Sequence, residues 1–219
     1  LQEVRAEAEA PAVMEETPHT LVFTQWLRHP RLKWASRKLE LWKGEPRARF
    51  TLRCYRLSSD DPEILWASFP LPCEGALPKL SSGGMSFTPY TDQLPGSCRD
   101  YFGIDGWAHF STPDGHWLWV SRDAPLMTLG GPHVWSRRET APPDAHRVLA
   151  MLFNNCWHTN FAGDEHGAME FQFELVWREK LGSDSEVQAL ADALCADPVV
   201  LNNGTGADDR FILRHLFQP

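Results

Sequence analysis

The sequence of 219 residues lacks the features that would assign it at once to a membrane or to nucleic acid. No apolar run approaches the roughly 20 residues that a helix needs to cross a bilayer. Positive charge is in deficit, with 21 Lys and Arg against 29 Asp and Glu, so the net charge is −8. Nucleic acids and anionic membranes attract proteins with a positive field. We therefore expect neither of them as a partner.

Closely spaced cysteines are also missing, because the five cysteines are scattered and form no C-x-x-C pair. An odd, scattered set is typical of reduced thiols in a cytoplasmic protein and not of a disulfide framework or a zinc ribbon. We therefore predict a cytoplasmic location and unpaired thiols. The G-x-S-x-G nucleophile motif and the G-x-x-x-x-G-K-[ST] phosphate loop are absent as well.

The chain begins with a polar, acidic stretch and continues as one unit. Residues 1–17 are expected to form a flexible leader or a linker from a preceding domain. Residues 18–219 are expected to form a single β domain. The polar start is the opposite of a secretory signal.

Alternation of apolar and polar residues dominates the rest of the sequence. From Arg47 to Cys54 and from Met169 to Trp177, apolar side chains occupy every second position. Such alternation predicts strands of antiparallel sheets with one buried face. Further strands are predicted at Thr20–Leu27, Lys38–Lys43, Ile64–Leu71, Trp107–Phe110, His116–Ser121, Leu126–Leu129, Arg147–Phe153 and Arg210–Phe217. Many short strands between turn clusters such as LSSGGMS and TPDGH predict an all-β fold, a large antiparallel sandwich or a barrel.

One helix is predicted near the C-terminus. Ser183 and Glu186 have the spacing of a capping box, and apolar residues follow at helical spacing until Asp197-Pro198.

The densest group of polar and aromatic residues is FNNCWHTNFAGDEHG, Phe153 to Gly167, between two predicted strands. Amide side chains both donate and accept hydrogen bonds, which suits hydroxyl-rich ligands, and an indole offers a flat apolar face. Polar groups concentrated on one loop are often functional, although Asn, Asp and Gly also form loops by bonding to the backbone. The candidate substrate-binding residues are Asn154, Asn155, Trp157, His158, Asn160 and Asp164.

Three other interpretations use the same kinds of residue. A metal site could use His158, Asp164, Glu165 and His166, but their spacing matches no H-E-x-x-H motif, and we predict no metal and no cofactor in this chain. Acid–base chemistry of the mutarotase kind would need one histidine and one carboxylate in a shared cleft. The ten tryptophans could stack on sugars, although most of them are expected in the core.

Four segments in order resemble the C-terminal β region of family 38 glycoside hydrolases, the α-mannosidase-like enzymes. They are HTLVFTQWLRHPRLKWASRKLELWKGEPRARFTL, ILWASFPLP, DYFGIDGWAHFSTPDGHWLWVSRDAPLMTLGG and MLFNNCWHTNF, and the last is followed by a strand of the F-x-F-x-L type. The resemblance covers about Thr20 to Trp177 and extends more weakly to the end of the sequence. The resemblance implies a supersandwich related to the galactose-mutarotase fold, packed against an upstream catalytic domain.

That resemblance also implies a function. The expected role is an accessory domain of a hydrolase of α-mannosides, with the upstream catalytic domain and carbohydrate as partners and the asparagine-rich loop near the sugar pocket. Zinc and the two catalytic carboxylates are expected in the upstream domain, because no residue here matches those motifs. We therefore predict no catalytic residue in this chain. The alternatives are a free-standing carbohydrate-binding module and a mutarotase-like sugar isomerase.

Overall fold

A computed structural model describes residues 2–156 and 163–196 of the chain. Fourteen strands and one helix are present in this part. In chain order they are β1 (Glu7–Ala8), β2 (Val13–Glu16), β3 (Thr20–Arg28), β4 (Leu32–Trp42), β5 (Arg47–Arg56), β6 (Ile64–Pro70), β7 (Lys79–Ser82), β8 (Met85–Phe87), β9 (Phe102–Gly103), β10 (Trp107–Thr112), β11 (Gly115–Ser121), β12 (Leu126–Leu129), β13 (Arg147–Asn154), β14 (Gly167–Arg178) and α1 (Asp184–Cys195).

The strands form two sheets, and the strand pairs in both are antiparallel. Sheet A has ten strands in the order β1-β3-β4-β5-β14-β11-β10-β7-β8, with β2 also pairing with β3. Sheet B has four strands in the order β6-β13-β12-β9. The predicted all-β antiparallel sandwich with one short helix near the C-terminus is confirmed. The predicted strand Arg210–Phe217 lies outside the described residues.

Alternation explains why the two longest ladders form. In β5 and β14 the register pairs Phe50 with Phe173 and Leu52 with Phe171, so apolar residues of both strands share one face. This inner face meets sheet B in a core that contains Phe110, Trp119 and Leu129 and many other apolar side chains. Burial of apolar area on this scale is the main force that holds the sheets together.

Among the described residues, helix α1 covers one end of the outer face of sheet A. Helix α1 begins at the predicted capping box, where Ser183 accepts a bond from Glu186 N–H and the Glu186 carboxylate accepts from Ser183 N–H. Its buried side chains form a second core with Trp107, Leu118 and Val176 of the sheet. At 12 residues, α1 is too short to cross a bilayer, and no longer apolar helix occurs in the described ranges.

Strands occur in two regions where the sequence predicted a turn or a flexible leader. The LSSGGMS segment forms the hairpin of β7 and β8, with Gly83 and Gly84 both at positive φ (61° and 75°), as a two-residue hairpin turn requires. Within the expected leader, β1 and β2 pair with β3, although their side chains are exposed. Residues 7–16 therefore extend the edge of sheet A.

Candidate functional site

The asparagine-rich segment, Phe153 to Gly167, and the β5–β6 connection leave the sandwich at the same end. Gly167, where β14 begins, pairs with Arg56, where β5 ends. Asn154, where β13 ends, pairs with Ile64, where β6 begins. Residues 57–63 and 155–166 therefore both connect sheet A to sheet B at this end, and their described parts contact each other.

Asn155 binds the backbone of the β5–β6 connection. Its side-chain oxygen accepts a hydrogen bond from Glu63 N–H at 2.6 Å, and its amide nitrogen donates to the carbonyl oxygens of Asp61 at 2.9 Å and Ser59 at 3.3 Å. The Asn155 backbone N–H also donates to the Glu63 carbonyl at 3.1 Å. All three side-chain bonds satisfy backbone groups, so Asn155 clamps one connection to the other.

The centre of this end is Arg56, which is only 1% exposed. Its guanidinium donates to Glu63 Oε1 at 2.6 and 3.0 Å, to Asp164 Oδ1 at 2.8 Å and to the Glu165 carbonyl at 2.6 Å. The guanidinium carbon also lies 3.6 Å from the centre of the Phe153 ring. A buried arginine is stable only with such pairing, because an isolated charge in the interior is costly.

Asp164 joins the same network from the other connection. Besides Arg56, its carboxylate accepts from the Ser58 hydroxyl at 2.6 Å, from Ser59 N–H at 3.2 Å and from His166 Nδ1 at 3.0 Å. The hydrogen bonds from Ser58 and Arg56 hold the pKa of Asp164 far below its usual range. The carboxylate therefore stays ionised at neutral pH and is unsuited to act as a general acid there.

A second arginine extends the network toward the solvent. Arg31 Nε lies 3.1 Å from Glu63 Oε2, and its Nη2 bonds the carboxylate of Asp61. Two arginines thus face the carboxylates of Asp61, Glu63 and Asp164. We call this group, together with Asn155, the anchor network.

The predicted site residues fall into three groups. Asn155 and Asp164 are brought together in the anchor network, while Asn154 Oδ1, as far as the described residues go, accepts a hydrogen bond from Cys156 N–H at 2.8 Å. Trp157, His158 and Asn160 lie outside the described residues, and sugar contact by any of the six stays a prediction. His158 of the metal interpretation is outside as well, and within residues 2–156 and 163–196 no group of three or more His, Cys, Asp or Glu is placed to hold a metal.

Sequence reasoning missed Arg56, Glu63 and Arg31. A signal for Arg56 was present, because the apolar face of β5 runs through Leu52 and Cys54 and its next position is Arg56. A charge that continues an apolar face must be paired when it is buried.

A pair of histidines lies far along the outer face of sheet A, beside the start of α1. His109 Nε2 and His116 Nδ1 are 3.1 Å apart, and Ser111 Oγ is 3.3 Å from the latter nitrogen. His109 is 6% exposed, and burial, followed by the neighbouring His116, lowers its pKa to about 4. The imidazole is therefore neutral at pH 7 and can take part in hydrogen bonds only.

The nearest carboxylate to this pair is already engaged. Asp184 accepts from the Ser86 hydroxyl and from Lys79 Nζ at 3.1 and 3.3 Å, and these bonds lower its pKa. A mutarotase-like acid–base pair would need a free carboxylate facing a histidine. The arrangement at Asp184 instead fastens α1 to β7 and β8.

Comparison with solved structures finds several similar chains. An X-ray structure of a galactose mutarotase related enzyme from Lactobacillus acidophilus is similar to this chain, with 12% identity and a TM-score of 0.36 over 80% of this chain and 71% of that one. No protein-family model matches the chain, and no curated protein matches it. Function therefore has to be inferred from the chemistry of this chain's own residues.

Proposed function

We propose that this chain is the non-catalytic β domain of a larger, family 38-like glycoside hydrolase that acts on α-mannosides. The observation that carries the proposal is an apolar inner face of sheet A that extends beyond the sandwich core. A second domain of the same polypeptide would cover this face.

The extended face follows from the register of β2 to β5. Met14 pairs with Phe23, Phe23 with Leu39, and Leu39 with Phe50, which forms a row across four strands. Phe50 packs against the core, while Phe23 and Leu39 are only half-buried and Met14 is 57% exposed. Leu21 and Leu41 form a second half-buried pair beside this row.

An apolar row that stays partly open to water is a candidate interaction surface, because soluble proteins rarely leave large contiguous apolar area exposed. Domains of one chain bury roughly 600–1,500 Å² against each other. Sheet B has four strands and sheet A has ten, and among the described residues the core between the sheets includes no apolar side chain of β2, β3 or β4. This matches the upstream catalytic domain that the sequence resemblance implies.

The anchor network supports the same role by fixing the asparagine-rich segment at one end of the sandwich. Asn155 and Asp164 hold the described ends of this segment to residues 57–63. In the proposed enzyme their role is to position the loop, and contact with sugar falls to Trp157, His158 and Asn160. The zinc ion and the reacting carboxylates belong to the upstream domain.

The decisive experiment uses the full reading frame that encodes this chain. The whole protein is expected to hydrolyse an aryl α-mannoside and to lose this activity after zinc chelation. Purified 1–219 is expected to show no turnover with or without added zinc. Zinc-dependent turnover by 1–219, or a reading frame with no upstream domain, would contradict the proposal.

A matched pair of variants tests the apolar face within the whole enzyme. Phe23→Lys places a charge on the inner face, and Val22→Lys places the same charge on the outer face of the same strand, between Glu15 and Glu40. We expect Phe23→Lys to lower the melting temperature and the turnover of the whole enzyme, and Val22→Lys to leave both unchanged. Equal effects of the two variants on melting temperature and turnover would show that no second domain packs on the inner face.

A further inference from the structure

At the β3–β5 end, the outer face of sheet A carries three aromatic rings on adjacent strands. Trp26 of β3 pairs with Ser36 of β4, two residues from Trp34, and Trp34 pairs with Tyr55 of β5. Paired residues point to the same side of a sheet, and so do residues two positions apart in a strand. We call Trp26, Trp34 and Tyr55 the aromatic platform.

The platform has a defined geometry. The Trp34 and Tyr55 rings are 6.4 Å apart with planes inclined at 50°, and Lys33 Nζ lies 5.3 Å from the Tyr55 ring centre. Trp26 is 53% exposed, although it lies in the middle of a regular strand. Three strands spaced about 4.8 Å apart give a surface about 10 Å wide. Helix α1 packs on β10 and β11, at the other end of the same face.

Planar polar side chains border the platform on the next strand positions. Arg53 Nε donates to Glu170 Oε2 at 2.7 Å, and Gln172 Nε2 donates to Glu170 Oε1 at 2.9 Å. The Arg53 and Glu170 side chains are 59% and 39% exposed, so both also reach solvent. The guanidinium and the carboxylate offset each other's charge and offer donors and acceptors, and Lys33 adds an ammonium donor over the Tyr55 ring.

We propose that the aromatic platform binds a neutral oligosaccharide. The C–H faces of a sugar ring pack on aromatic rings, and its hydroxyl groups match the donors and acceptors of Arg53, Glu170 and Gln172. Sites for small ligands combine apolar and aromatic surface with a few polar groups in this way.

Area favours a small ligand over a protein partner. An aromatic side chain presents roughly 150–250 Å² in full, so one half-exposed and two mostly covered rings offer about 250 Å². A stable protein interface needs about 800 Å² from each partner. Charged residues flank the platform on this face, and a second copy of the chain that packed here would have to remove water from those charges. An oligosaccharide needs only the rings and their border.

This surface would bind sugar whether or not the chain belongs to a hydrolase, and it is separate from the anchor network. The test uses isolated 1–219, titrated with soluble α-mannan, β-glucan and polygalacturonate by tryptophan fluorescence and affinity electrophoresis. We expect retardation by at least one of the two neutral polysaccharides. Polygalacturonate should bind more weakly than the neutral polysaccharides, because the chain carries a net charge of −8 and the Lys33 ammonium is already held over the Tyr55 ring.

Three variants locate the binding. Trp26→Ala and Tyr55→Ala are expected to weaken it at least tenfold. Trp135→Ala removes a tryptophan of matched exposure, 54%, from a different loop and is expected to change affinity less than twofold. Circular dichroism confirms that each variant is folded.

Four results would overturn the proposal. They are no binding of either neutral polysaccharide, equal binding of polygalacturonate, equal loss in Trp135→Ala, and a dimer of the wild type that Trp26→Ala dissociates. The first result leaves the hydrolase proposal standing, because that proposal depends on the whole enzyme and on the inner face.

Discussion

Acidification should destabilise the protein through His109. The pKa of this buried imidazole is about 4 in the folded protein, against an ordinary value of 6.5. Besides burial, the neighbouring His116 and Lys79 lower this pKa and Asp184 raises it. Because the folded-state pKa is depressed, the unfolded chain binds the proton first as the pH falls. Stability is therefore complete above pH 6.5 and is lost as the pH drops toward 4.

The magnitude follows from the difference between the two pKa values. At 1.36 kcal/mol per pH unit, the full difference corresponds to about 3 kcal/mol, and by pH 5 about 2 kcal/mol is lost. Urea unfolding followed by tryptophan fluorescence at pH 7.5, 6 and 5 measures this loss. Carboxylates also titrate on acidification, so the loss in free energy of unfolding between two pH values is compared between wild type and His109→Asn.

Comparison with His109→Asn isolates the contribution of His109 to the pH dependence of stability. We expect His109→Asn to lose about 2 kcal/mol less than the wild type between pH 7.5 and 5. His19→Asn, which changes an exposed histidine, should follow the wild type. If wild type and His109→Asn lose the same free energy of unfolding, a depressed pKa at His109 is refuted.

Two further predictions concern the anchor network and the thiols. Arg56→Met should lower the free energy of unfolding by about 3–5 kcal/mol, because it leaves Glu63 and Asp164 without their buried partner. The control Arg53→Met removes one side of an exposed ion pair and should lower the free energy of unfolding by less than about 1 kcal/mol. Equal losses in the two variants would refute the buried-pair argument. In native protein, Ellman's reagent should modify exposed Cys98 first and buried Cys73 last, because burial raises the pKa of the Cys73 thiol to about 11. In urea without reductant all five thiols should react, and a count of three or fewer would reveal a disulfide.

The fold was predictable where one face of a strand is buried and the other is not. Alternation from Arg47 to Cys54 identified β5, and the structure extends this strand to Arg56. The hairpin of β7 and β8 was missed because its strands have four and three residues and its glycines dominate the local composition. The strands β1 and β2 were missed because their side chains are exposed and carry no periodic signal of burial.

The candidate site was less predictable than the fold. A cluster of Asn, Asp and His in the sequence does not show whether the polar groups bind a ligand or their own backbone. The side-chain oxygen of Asn155 accepts from Glu63 N–H, and the Asp164 carboxylate accepts from Arg56 and Ser58. These donors lie about a hundred positions earlier in the chain. The pairing of β6 with β13 brings Asn155 to Glu63, and the pairing of β5 with β14 brings Asp164 to Arg56 and Ser58.

The position of β14 has a consequence for how the protein is made. In sheet A this strand lies between β5 and β11, so the sheet consists of two separate halves until β14 joins them. Residues 47 and 176 are direct partners across this junction, and closing such a long loop is slow. During synthesis, β5 and β11 each keep an open hydrogen-bonding edge until residue 178 has left the ribosome. Such edges pair readily with other chains, so nascent and C-terminally truncated forms should be the species most prone to aggregate.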